Sequence, residues 1–125
     1  MRKLRSQVEH LNGHPTVVIA THEDHRAIVS ICLQKSPTDP PFLADDLDAR
    51  AFDADGRLLS LVDRPCPGAL TEVSTMGVTA SGRYVFAREP DQDVCSVDVR
   101  LGEHEAKFRI VRADGSQLRE SKSPS

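Results

Sequence analysis

Residues 95–112 read CSVDVRLGEHEAKFRIVR, and this stretch decides the fold. Cys95, Val97, Val99 and Leu101 alternate strictly with Ser96, Asp98 and Arg100. After Gly102-Glu103-His104-Glu105 the alternation resumes, with Ala106, Phe108 and Ile110 on one parity. A period of two sends successive side chains to opposite faces of a strand. The stretch therefore predicts two adjacent strands, 95–101 and 106–112, each with one dry face, joined by a tight turn.

Outward from this pair the same punctuation recurs. Asn12-Gly13, Asp55-Gly56, Ser81-Gly82 and Asp114-Gly115 lie between or beside short runs rich in Val, Ile, Leu or Phe. Glycine tolerates positive φ, so such pairs favour the tight turns that match strand twist. Residues 16–21 (TVVIAT) and 26–34 (RAIVSICLQ) read as largely buried strands. Residues 47–53 (LDARAFD) and 57–63 (RLLSLVD) read as a hairpin about Asp53-Ala54-Asp55-Gly56. Residues 70–79 predict a weaker strand with Gly77 as a bulge, and 83–88 (RYVFAR) follow a Ser81-Gly82 turn. Residues 1–14 fit either one helical face through Leu4, Val8 and Leu11 or a strand ending at Asn12-Gly13, the reading taken here, and 112–118 can add a short last strand. Between them, 35–46 (KSPTDPPFLADD) holds three prolines and three aspartates, which no helix or central strand accommodates.

About eight short strands at hairpin spacing predict an all-β fold. The expected form is an antiparallel sandwich, Ig-like or Greek key, because the Pro-rich loop suits a crossing between sheets. An up-and-down β-barrel is the alternative. Turn chemistry and strand spacing resemble bacterial immunoglobulin-like domains generically, a resemblance that implies no function. The domain reading is 1–14 as an N-terminal arm or edge strand, 15–119 as the β-domain and 120–125 (SKSPS with the preceding Glu120) as a disordered tail.

At 125 residues the chain suits one domain with a core of its own. Aromatics are 4% with no Trp, so the core must be aliphatic, supplemented by Phe42, Phe52, Phe86 and Phe108. A formal net charge of −3 draws the whole chain neither to nucleic acid nor to an anionic membrane. Scarce aromatics also argue against stacking platforms for single strands or sugars. Charge is uneven, however: Asp39, Asp45, Asp46, Asp48, Asp53 and Asp55 face one Arg50 within the stretch from Asp39 to Asp55, an acidic contact surface in prospect. The longest apolar run, Val17 to Ala20, is too short to span a bilayer, and no apolar leader segment follows the basic start. With an odd count of three cysteines, the expectation is a cytoplasmic protein with reduced thiols.

Four clusters invite chemistry. His22-Glu23-Asp24-His25 packs imidazole and carboxylate groups into one turn, where His22 and His25 could converge on a divalent metal. A turn also wants polar residues, and no other ligands complete the set, so the expectation is a solvated hairpin tip with replaceable histidines. Asp53-Ala54-Asp55-Gly56 echoes a calcium loop, but Ala51 and Val62 stand where oxygen ligands belong. Cys66, in Pro65-Cys66-Pro67, carries the Cys-Pro pair seen in haem-responsive proteins, a dipeptide without specificity. Cys32 and Cys95 are spaced like the paired cysteines of immunoglobulin sandwiches, without the companion Trp or Tyr, and read as small core hydrophobes. No G-x-S-x-G elbow, Walker loop or H-E-x-x-H helix occurs. The sequence therefore assigns no catalytic, cofactor-binding or metal-binding residue. It points to a non-enzymatic module that binds a protein partner through a sheet edge or the acidic face, in the manner of inhibitors, immunity-type proteins or assembly subunits. The alternative is a small-ligand or metal-binding β-barrel, conceivably an enzyme, using His22 and His25.

Overall fold

In the computed structural model, which describes residues 2–74 and 77–111, strands follow one another along the chain with hardly a helical turn. They are β1 (Arg2–Ser6), β2 (Glu9–Leu11), β3 (His14–His22), β4 (Arg26–Lys35), β5 (Leu47–Phe52), β6 (Leu61–Asp63), β7 (Thr71–Ser74), β8 (Val78–Ala87), β9 (Ser96–Leu101) and β10 (His104–Val111). A single 3-10 turn, Ala44–Asp46, precedes β5. Every pairing is antiparallel, in the order β5-β9-β10-β1-β3-β4-β8-β6, with β2 on β3 and β7 on β8.

The all-β reading holds, in the form of the barrel alternative rather than the sandwich. The reason lies in β1, which pairs with β10 on one side (Arg5 opposite Val111) and β3 on the other (Leu4 opposite Ala20). One short strand thus stitches two halves into one sheet, where a sandwich would keep them apart. Both β1 and β2 are accordingly part of the sheet. The two ends of the sheet nearly meet. Leu59 N–H donates to Ala51 O at 2.9 Å, Ala87 N–H donates to Ser60 O at 2.9 Å, and isolated bridges join Phe52 to Leu58 and Leu43 to Ala69.

Alternation along the strands fills the interior. Val18, Ala20, Val29, Ile31, Leu33, Val97, Val99, Phe108 and Ile110 are all at most 1% exposed, with Tyr84 and Phe86 among them. The pair read from 95–112 is in place: Val97 opposes Phe108 and Val99 opposes Ala106. The β2–β3 hairpin turns on Asn12 (φ +51°) and Gly13 (φ +79°), the two positive φ values of a type I′ turn. Of the predicted aromatic core, Phe86 and Phe108 are buried and Phe42 packs at its margin. Phe52 instead faces outward, with the Lys107 ammonium 5.2 Å from its ring.

Three local expectations are corrected. Ser81-Gly82 is no turn but the middle of β8, so 83–88 continues a longer strand. There a Cβ on Gly82 would lie 2.8 Å from Leu47 Cδ2 and 3.3 Å from Pro65 Cγ, so the glycine makes room for a neighbour. Gly77 (φ +106°) lies before β8 and outside β7, not in a bulge. The run 57–63 pairs with β5 only at its start and then crosses to β8 as β6, because Leu59 turns into the core while Leu58 stays exposed. The predicted last strand within 112–118 and the disordered tail 120–125 lie outside the described residues.

Candidate functional site

One end of the barrel is closed by polar groups that the hairpins bring together. The β3–β4 turn and the β8–β9 connection meet there through Arg88, which is 7% exposed. Its Nε donates to Gln92 O at 2.7 Å and Nη2 to Pro90 O at 2.8 Å, while Nη1 donates to the carbonyl oxygens of Glu23 and Asp24. Asp93 Oδ1 lies 3.6 Å from Nη2. A buried guanidinium spread over this many acceptors fixes the two loops against each other.

His22 belongs to this closure. It is buried, and Val94 N–H donates to its Nε2 at 3.0 Å. His25 is exposed beyond the turn. The expected solvated pair is thus corrected: strand parity sends His22 inward, and its Nε2 lone pair is occupied by a backbone donor. The structure does not bring His22 and His25 together. Among the described residues, no three His, Cys, Asp or Glu side chains gather as a metal would require.

Beside this end, Asp53, Asp55, Glu89, Asp91, Gln92 and Asp93 line a cleft of about 260 Å³ together with Arg57. Asp53 organises it. Its Oδ1 accepts from Asp55 N–H and Arg57 N–H, each at 2.9 Å, and its Oδ2 accepts from Gln92 Nε2 at 2.9 Å. Partial burial pushes the Asp53 pKa up, but the Gln92 and backbone hydrogen bonds and the Arg57 charge outweigh it, and the net shift is downward. The turn reading of this segment holds, with Gly56 at φ +81°.

The stretch from Asp39 to Asp55 does not form one acidic face. Asp39 caps its own loop, accepting from Ser36 N–H at 3.0 Å. Asp45 and Asp46 precede β5 and Asp53 follows it, so a whole strand separates them. Asp48 joins a charge lattice on the outer wall of β5, β9 and β10. There Asp48, Arg100 and Glu105 form one cross-strand row and Arg50, Asp98 and Lys107 the next, three acids against three bases. Lys107 lies 3.0 Å from Asp98, Arg50 3.3 Å from Glu105 and Arg100 3.9 Å from Asp48. The acidic cleft owes as much to Glu89, Asp91 and Asp93, in the run Glu89-Pro90-Asp91-Gln92-Asp93 that sequence reasoning missed. Its composition was the available signal.

The cysteines are also revised in part. Cys32 sits half-buried on the outer side of β4, not in the core, and burial raises its thiol pKa. Cys95 packs at the core margin just before β9, and Cys66 is exposed.

The seam between the sheet ends is the most exposed β-structure. Each residue of β6 and β7 is exposed. Of the six large hydrophobics exposed among the described residues, five lie on or beside these strands: Leu43, Leu58, Leu61, Val62 and Val73. Val62 is 64% exposed. No helix among the described residues is long and apolar enough to cross a membrane. The chain matches no family model, no curated protein and no solved structure.

Proposed function

We propose that this chain is a non-enzymatic protein-interaction module that receives its partner along the seam edge formed by β6 and β7. The observation that carries the reading is the concentration of exposed Leu and Val on two wholly exposed edge strands. Natural sheets protect such edges with charge, proline or cover, because unpaired backbone groups and apolar side chains recruit other chains. A partner strand laid along β7 would gain main-chain hydrogen bonds from the edge and side-chain contacts from Val73 and Val62. The acidic face is the weaker version of the same reading, since Asp48 is balanced within its wall and Asp53 is engaged in its turn. The proposal includes a cytoplasmic setting, in which Cys32 and Cys66 stay as thiols.

The test is site-specific photo-crosslinking in the native cell, with the reactive side chain at Val62, at Val73 or, as reference, at Arg100. The expected result is one identified protein adduct from the two seam positions, lost on Val73→Lys placed beside the Val62 probe. Adducts confined to the Arg100 position, or none at the seam, would overturn the reading.

A further inference from the structure

The outer wall formed by β1, β3, β4 and β8 differs in kind from the rest of the barrel. Strand register arranges its outward side chains in cross-strand rows. One row runs Arg5, Ile19, Ser30, Arg83, and the next Lys3, Thr21, Ile28, Val85. A third runs Val17, Cys32, Ser81. Its centre on β3 and β4 is thus uncharged and mostly apolar, and its residues are half-buried. Both margins are basic. Lys3 and Arg5 on β1 and Arg83 on β8 are exposed, and none has a carboxylate partner among the described residues. The nearest acid in these rows is Asp63, one strand beyond β8 and opposite Val85. In a chain with a net charge of −3, an unbalanced basic margin on both sides of an apolar strip is the local exception.

We propose that this wall is a second docking surface, whose occupant is an acidic amphipathic α-helix of a partner protein. The dimensions match. From β1 to β8 is three strand spacings, about 14 Å at roughly 4.8 Å each. An α-helix with side chains is about 10–12 Å across. A helix lying along β3 and β4 therefore seats its apolar stripe on Val17, Ile19 and Ile28. Its two flanks then fall over Arg5 and Lys3 on one side and Arg83 on the other. Glu or Asp on both flanks would supply carboxylates that these cations do not find among the described residues, so the charge pattern selects an acidic helix over a basic one. The apolar strip lies on β3 and β4, with β8 between it and the seam strands β6 and β7, and its test does not depend on the seam partner.

The probe is an 18-residue synthetic helix with Leu at i, i+3, i+4 and i+7 and Glu on both flanks, fluorescein-labelled, with a Lys-flanked twin. The intact chain should bind the Glu peptide at least about tenfold tighter than the Lys peptide, a difference of about 1.4 kcal/mol. Amide shifts should map to 17–21 and 28–32. In Arg5→Glu/Arg83→Glu the preference should invert, with the melting temperature confirming the fold; Ile19→Asp should abolish binding of either peptide. Equal affinity for both peptides, a preference that survives the charge reversal, shifts mapping elsewhere, or binding to anionic phosphatidylserine vesicles but not to the Glu peptide would each overturn the proposal.

Discussion

The outward side chains of β5, β9 and β10 form a closed charge lattice, whereas those of β3 and β4 carry no charge from Pro15 to Thr21 or from Ile28 to Gln34. Both walls enclose the same core. The row Asp48, Arg100, Glu105 carries one excess negative charge and the row Arg50, Asp98, Lys107 one excess positive charge, so the two rows neutralise each other, with Arg50 and Glu105 paired between them. Among the described residues, the cations bordering the uncharged wall have no carboxylate partner. The difference teaches that strand periodicity dictates only which side chains face inward. What faces outward is free to vary, and that is where the chain can carry function.

If the walls differ only outside, inward truncations should be equally damaging on both. Phe108→Ala on β10 and Ile31→Ala on β4 should each destabilise by about 2–5 kcal/mol in chemical denaturation, the range for emptying a packed site. A loss below about 1 kcal/mol at either position would mean that its wall is not packed against the common core.

Tyr84 sharpens the comparison at alkaline pH. It is fully buried on β8, and burial pushes its phenol up to about 12, with Asp48 adding to the rise and Arg64 opposing it. A raised folded-state pKa means that stability is intact below the ordinary Tyr value of about 10 and falls as pH rises toward 12. The fall should amount to about 2–3 kcal/mol. Tyr84→Phe should abolish that component, leaving any decline due to other groups. An identical alkaline loss in the variant would contradict the assignment.

Gly82 probes the seam side of β8. Gly82→Val should destabilise by about 1–3 kcal/mol, because the new side chain meets Leu47 and Pro65. Gly82→Val with Leu47→Ala should recover part of the loss; no recovery would place the strain elsewhere. The smallest effects belong to the outer walls themselves. Asp48→Ala or Arg50→Ala should change stability by less than about 1 kcal/mol, and less still at high salt, as exposed ion pairs do.

The hairpin within 95–112 was legible because Val97, Val99, Phe108 and Ile110 repeat with period two, and Asn12-Gly13 because its turn chemistry is local. Gly82 was not, because the reason for a glycine there is Leu47, which is remote in sequence. His22 and His25 share a motif but straddle a strand end, where parity buries one and exposes the other. Barrel and sandwich differ by the placement of one short strand, β1, whose residues Arg2 to Ser6 carry no signal for their two neighbours. The seam was equally hidden: 57–63 and 70–79 read as strands, and nothing local to Val62 or Val73 marks β6 and β7 as edges.

The central claim is that the sheet is continuous from β5 to β8, and that β6 and β7 at its seam are its least protected strands. Residue-resolved amide hydrogen exchange on the isolated protein tests it most directly. Amides hydrogen-bonded between strands at 27–33 on β4 and 97–101 on β9 should exchange only through near-global unfolding. Those of 61–63 and 71–74 should exchange through local opening, at least about a hundredfold faster. Protection of 61–63 and 71–74 equal to that of β4 would contradict the account.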